Sequence, residues 1–137
     1  METKIFINLP VSDTSRSMDF FKSIGYSCDE RFCDKSSACL VISDTIYVML
    51  LTEDKMKEIM PQDVVDAVKT SKSVTSIAVK SKDKVNEIVE NAKKAGAPVV
   101  RDPEDYGFMF HRSFNDLDGH FWNFIWMDET KAENLKK

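Results

Sequence analysis

The chain has 137 residues, 42% hydrophobic and 31% charged, with a formal net charge of −4 at pH 7. That is the size and composition of one compact globular domain, which excludes a disordered chain. The negative balance argues against nucleic acid or an anionic membrane as the main partner, since both ask for a basic surface. The longest apolar run, Ile46–Leu51, falls far short of the ~18 residues needed to cross a bilayer.

No cationic segment leads into a long apolar stretch near Met1, so the expectation is a cytoplasmic protein. Cys28, Cys33 and Cys39 form no C-x-x-C, and two distant histidines complete no zinc spacing. Free, reduced thiols in or beside strands are expected, rather than a redox or metal role.

In chain order, Lys4–Val11 places Ile5, Ile7, Leu9 and Val11 on one parity and Phe6, Asn8 and Pro10 on the other, the period of a strand. Ser12 and Asp13 offer capping oxygens for a helix through Ile24. Its apolar residues Met18, Phe21 and Ile24 recur every three positions, and Gly25 ends it. Ser27–Cys33, Ala38–Ser43 and Ile46–Thr52 read as three short strands. Residues 53–72 are charge-rich and interrupted by Pro61, as suits a surface connection.

A second β-α-β-β-β series follows. Ser73–Lys80 alternates as a strand. Ser81–Ala95 carries Val85, Ile88, Val89, Ala92 and Ala95 on one stripe, with Gly96 and Pro98 at its end. Pro98–Arg101, Gly107–Asn115 and His120–Met127 complete the set. Ile7 and Ile77 stand 70 residues apart in equivalent places, so the chain reads as a duplicated module.

Asn8-Leu9-Pro10-Val11-Ser12-Asp13, Ser17-Met18-Asp19-Phe20-Phe21, Gly25-Tyr26 and Phe114-Asn115-Asp116-Leu117-Asp118-Gly119-His120 resemble, in that order, motifs of the vicinal oxygen chelate (VOC) superfamily. That superfamily includes glyoxalase I, bleomycin-resistance proteins, fosfomycin-resistance enzymes and extradiol dioxygenases. Leu117 replaces its usual proline. The resemblance implies an α+β fold in which two βαβββ modules form a curved eight-stranded mixed sheet with helices on the convex side. Residues 1–137 are then a single glyoxalase-like domain: module 1 about 4–52, connector 53–72, module 2 about 73–127 and tail 128–137. Homodimers and a ligand site on the concave side are likewise implied.

Many members hold a divalent metal at up to four positions, which fall here on Phe6, Ser76, the region of Leu50, and Asn123. Hydrocarbons, a hydroxyl and an amide are not the imidazole and carboxylate donors such an ion requires, so neither metal nor other cofactor is expected. Taking Leu117-Asp118 as a two-residue turn pairs Arg112 with Asn123 and Phe114 with Phe121. On that register His111 faces Phe124, ~13 Å along the ladder from His120. Both histidines then read as structural, and a one-residue bulge would move His111 to the other face. Asp116 and Asp118 read as turn residues bonding their own backbone.

The expected ligand-binding residues are Phe6, Asn8, Ser76, Phe110, Arg112, Phe121 and Asn123, with Arg112 anchoring an anionic or carbonyl end; the equal alternative is that the aromatics fill the cup and Arg112 pairs with a carboxylate. Trp122, Phe124 and Trp126, on the other parity, read as core. The leading function is a metal-free binder of a small organic molecule, homodimeric, with no nucleic-acid or membrane partner. The alternative is a lyase, isomerase or dioxygenase-type enzyme with substituted ligands, such as a glyoxalase-type (lactoylglutathione-lyase-like) lyase or a metal-free catalyst built on Arg112 and His111. A third possibility is an assembly subunit whose cup is filled.

Overall fold

A computed structural model describes residues 2–60, 73–99 and 102–130. The C-terminal part of the expected connector (61–72), the end of the strand expected at Pro98–Arg101, and the tail beyond 130 lie outside them. The chain divides into two compact units, Met1–Lys72 and Ser73–Lys137.

The first unit runs β1 (Ile5–Pro10), α1 (Thr14–Ser23), β2 (Ser27–Cys28), a 3-10 turn (Glu30–Phe32), β3 (Ser37–Val41), β4 (Ile46–Leu51) and α2 (Glu53–Ile59). Its strands form a mixed sheet in the order β1-β4-β3-β2, with β1 parallel to β4. Asp13 caps α1 by accepting from Arg16 N–H at 3.1 Å, as the Ser-Asp pair leads one to expect. Gly25 follows the helix at φ +108°, a left-handed conformation costly to any residue with a Cβ. Helix α1 packs on β3 and β4, and Met18, Phe21 and Ile24 join Leu40, Val48 and Leu50 in the core. The strand expected over Ser27–Cys33 stops after two residues. Asp29 takes up Arg31 N–H at 3.2 Å and turns the chain into the 3-10 segment instead. Helix α2, capped by Thr52, lays Met56 against Leu51, Met49 and Met60.

The second unit repeats the plan with β5 (Val74–Ala78), α3 (Lys82–Lys94), β6 (Glu104–Asp105), β7 (Met109–Asn115) and β8 (Phe121–Met127). Its order is β5-β8-β7-β6, with β5 parallel to β8. The apolar stripe Val85, Ile88, Val89 and Ala92 of α3 is buried, and the helix packs on β7 and β8. Beneath it Phe114 and Phe124 stack at 5.7 Å, and Trp122 and Phe124 at 6.4 Å. Each unit is therefore βαβββ, with a helix on one face of a four-stranded mixed sheet.

The β7–β8 register differs from the sequence expectation by one residue. Asn115 pairs with Phe121, Ser113 with Asn123, and Arg112 with Phe124. The connection is Asp116–His120, closed by Asp116 N–H donating to His120 O at 2.9 Å and Gly119 N–H donating to Asp116 O at 3.0 Å. Gly119 supplies a φ of +83°. Because side chains alternate along a strand, a shift of one residue exchanges the faces of all β7 side chains relative to β8. Phe110, Arg112 and Phe114 thereby go to the helix-covered face, with Trp122, Phe124 and Trp126. His111 and Ser113 come to the face of Asn123.

Candidate functional site

Asp116 determines which side chains meet on the second sheet. Its side chain is buried. One carboxylate oxygen accepts from the backbone N–H groups of Asp118 and His120 at 2.9 and 3.0 Å, and the other from the indole N–H of Trp122 at 2.9 Å. This loop holds the pairing that brings His111 beside Asn123.

On the face away from α3, a polar chain crosses the sheet from edge to edge. Asn123 Nδ2 donates to Ser76 Oγ at 3.5 Å. Asn123 Oδ1 faces His111 Nδ1 at 3.2 Å, so the ring donates from Nδ1 with the amide in this orientation. His111 Nε2 lies 3.6 Å from Glu104 Oε2, an ion pair whenever the ring is protonated. Glu104 also accepts from the Tyr106 hydroxyl, and the Tyr106 and His111 rings stack at 6.0 Å. The His111 and Glu104 side chains keep 15% and 27% of their surface in contact with solvent. They are ordered by the fold yet reachable. Phe121, paired with Asn115 on β7, lies on this face by strand alternation.

The expected ligand-binding residues are thus divided. Ser76, Phe121 and Asn123 share one face of the second sheet. In the first unit, Phe6 and Asn8 lie on the same face of β1; Phe6 is 46% exposed and stacks on Tyr47 at 4.8 Å. Phe110 and Arg112 do not belong with Asn123, which corrects the sequence expectation. Arg112 Nη1 donates to Asn86 Oδ1 at 3.1 Å, and Nη2 pairs with Glu90 Oε2 at 2.9 Å, both on α3. Phe110 is buried on the same side, beneath the Lys82 ammonium 6.0 Å from its ring centre. Helix α3 uses the guanidinium to hold sheet and helix together. Sequence reasoning offered His111 as a site residue only in the alternative of a metal-free catalyst, and did not join Glu104 and Tyr106 to it. The signal was the Asp-x-Asp-Gly-His connection, which reads as five residues once Asp116 is allowed to bond across it.

The positions where the superfamily's metal donors would stand do not fit a divalent ion. Phe6 and Leu50 offer hydrocarbon, and Leu50 is fully buried. Ser76 and Asn123 offer a neutral hydroxyl and amide already bonded to each other. Among the described residues no group of three or more His, Cys, Asp or Glu is placed to hold a metal.

A sequence profile of the Glyoxalase/Bleomycin resistance protein/Dioxygenase superfamily matches residues 5–124. No curated protein matches the chain. Among solved structures, a hypothetical protein from S. aureus is similar at 24% identity and TM-score 0.71, covering 92% of this chain and 95% of that one. A glyoxalase/bleomycin resistance protein/dioxygenase family enzyme from Burkholderia phytofirmans is 17% identical with TM-score 0.75, over 89% and 96%. A glyoxalase-related enzyme from Fulvimarina pelagi is 17% identical with TM-score 0.71, over 92% and 88%. At these identities the structural likeness speaks for the fold.

Proposed function

Because the chain belongs to the Glyoxalase/Bleomycin resistance protein/Dioxygenase superfamily, we propose that it binds a small organic molecule without the metal many members use. The ligand lies on the face of the second sheet that carries Ser76, His111, Phe121 and Asn123. The observation that carries this reading is the His111–Asn123 hydrogen bond, on a face left open by α3. A donor–acceptor pair fixed there supplies directional contacts, and Phe121 supplies an apolar wall. With Arg112 committed to Glu90, the formal charge beside His111 among the described residues is the Glu104 carboxylate. That environment disfavours a carboxylate ligand and suits a neutral carbonyl or hydroxyl end on an apolar body. In the first unit, exposed Phe6 beside Asn8 offers a second aromatic surface of the same chemistry.

The test is ligand-induced thermal stabilisation with paired probes, aromatic ketones against the matching aromatic carboxylates. The ketones are expected to raise the melting temperature and the carboxylates to leave it unchanged. Asn123→Ala and His111→Ala should each abolish most of the shift. A shift that survives both substitutions rejects this face as the site.

A second reading, an isomerase or lyase of the glyoxalase type, is favoured by one observation: a carboxylate and a phenol flank the His111 ring, as they would a general base. It requires deuterium from solvent to enter the carbon next to the carbonyl of a bound ketone, and His111→Gln to stop the exchange. Stoichiometric uptake of zinc, nickel, manganese or iron, lost in Asn123→Ala, would instead support a metal-dependent enzyme and overturn the metal-free proposal.

A further inference from the structure

Cys28 ends β2 and Cys33 follows the 3-10 turn of the first unit, and their sulfurs stand 2.7 Å apart. Backbone bonds fix both positions. Asp29 N–H donates to Cys39 O at 2.9 Å, and Phe32 and Cys33 N–H donate to Asp29 and Glu30 carbonyls at 3.1 and 3.2 Å. The Cys33 thiol donates to Asp29 O at 3.2 Å and accepts from Cys39 N–H at 3.4 Å. The Arg31 guanidinium grips both oxygens of Asp29, at 3.0 and 2.7 Å, on the same turn.

The two cysteines also border a cavity of about 400 Å³, which Thr14, Asp19, Lys22 and Ser37 help to line. Both are half-buried, whereas Cys39 is fully buried. A pair of thiols held in contact at the wall of a cavity differs from two thiols that happen to share a strand. A disulfide needs the sulfurs at ~2.05 Å, so bond formation asks for a small local movement. The described structure holds the cysteines as free thiols.

We propose that Cys28 and Cys33 form a reversible dithiol–disulfide site that exchanges with low-molecular-weight disulfides entering this cavity. The Cys33 thiolate attacks one sulfur of the small disulfide; that S–S bond breaks and one small thiolate leaves. Cys28 then gives up its proton, attacks the Cys33 sulfur of the mixed disulfide and expels the second small thiol. Two protein thiols lose two electrons and two protons, and one small disulfide becomes two thiols. Burial, with Cys33 beside it, pushes the Cys28 thiol up to about 11, so Cys28 is protonated at neutral pH and takes the second step.

The experiment uses glutathione disulfide as the probe, followed by alkylation, trypsin and peptide mass measurement. Trypsin cuts after Arg31, between the two cysteines, so the internal bond appears as a linked peptide pair. That pair is expected in the wild-type chain, with Cys39 left reduced and full reversal by dithiothreitol. Cys28→Ser should stop at a glutathionylated Cys33, because the resolving thiol is gone. Both thiols remaining open to alkylation overturns the proposal, as does glutathione on both sulfurs or a bridge between two chains. The wild-type result decides the matter even if the variant fails to fold.

Discussion

Asp116 and Arg112 in the second unit take their roles from what they are packed against. Removing the Asp116 side chain leaves the Trp122 indole N–H and two backbone N–H groups without their acceptor. Each orphaned buried donor costs ~1–3 kcal/mol, so Asp116→Ala should lower the unfolding free energy measured in urea by at least that much. Burial also holds the Asp116 carboxyl above its ordinary 3.8, although the hydrogen bonds pull the other way. The folded chain therefore binds that proton more tightly than the unfolded chain. The resulting contribution is complete below 3.8 and is lost as pH rises through the raised value. The stability of the wild type minus that of Asp116→Asn should accordingly shrink as pH climbs from 3.8, read by denaturant titration at several pH values. Arg112→Ala should cost ~1–3 kcal/mol by removing its contacts with Asn86 and Glu90 on α3, while leaving ketone-induced thermal stabilisation intact. The structural role of Asp116 was legible from its turn position. For Arg112 the sequence left ligand anchor and ion pair as equal readings, because only strand pairing decides which face it takes.

At the scale of elements, the helices were legible because capping and stripe agree. Asp13 and Ser81 accept from the N–H three residues on, and the apolar periodicities of α1 and α3 point into their sheets. The short strands were less so. Asp29 converts the expected end of β2 into a 3-10 turn, and no hydrophobic alternation records that choice. The β7–β8 hairpin shows the same limit. Its strands were readable, but their register follows from a loop held by side-chain bonds that alternation does not register. That one residue moved His111 into the candidate site and Arg112 out of it. Gly119 is part of the same loop at φ +83°, with open space where a Cβ would stand. Gly119→Ala should therefore cost ~1–2 kcal/mol from backbone strain alone, with no steric contribution, measured as a lowered denaturation midpoint at unchanged slope.

Over the whole molecule, the duplicated plan was readable from offsets such as Ile7 to Ile77, since two similar chains of patterning fold to similar βαβββ units. The motifs that mark the superfamily fall on the end of β1 and the cap of α1, within α1 at Ser17–Phe21, at the Gly25 turn and on the β7–β8 link, places where packing or local geometry constrains residue type. The ligand is less legible, because its recognition rests on a few polar groups on one sheet face rather than on a periodic pattern. The resemblance read in the sequence implied a homodimer; sedimentation equilibrium should then return twice the 15.7 kDa chain mass, and a monomer at all concentrations would overturn that expectation.

The five-residue link between the last two strands has a consequence for how such a chain can vary. Trp122 and Phe124 face the helix because of how the two strands pair, and that pairing is held by the Asp116 bonds to the Asp118 and His120 N–H groups and to the Trp122 indole. A residue gained or lost in the link can leave the pairing unchanged only if the link itself takes up the difference, and those three bonds are spaced for the present five. Length variation at this spot should therefore come with replacement of Asp116, which ties the groups the link aligns to one side chain.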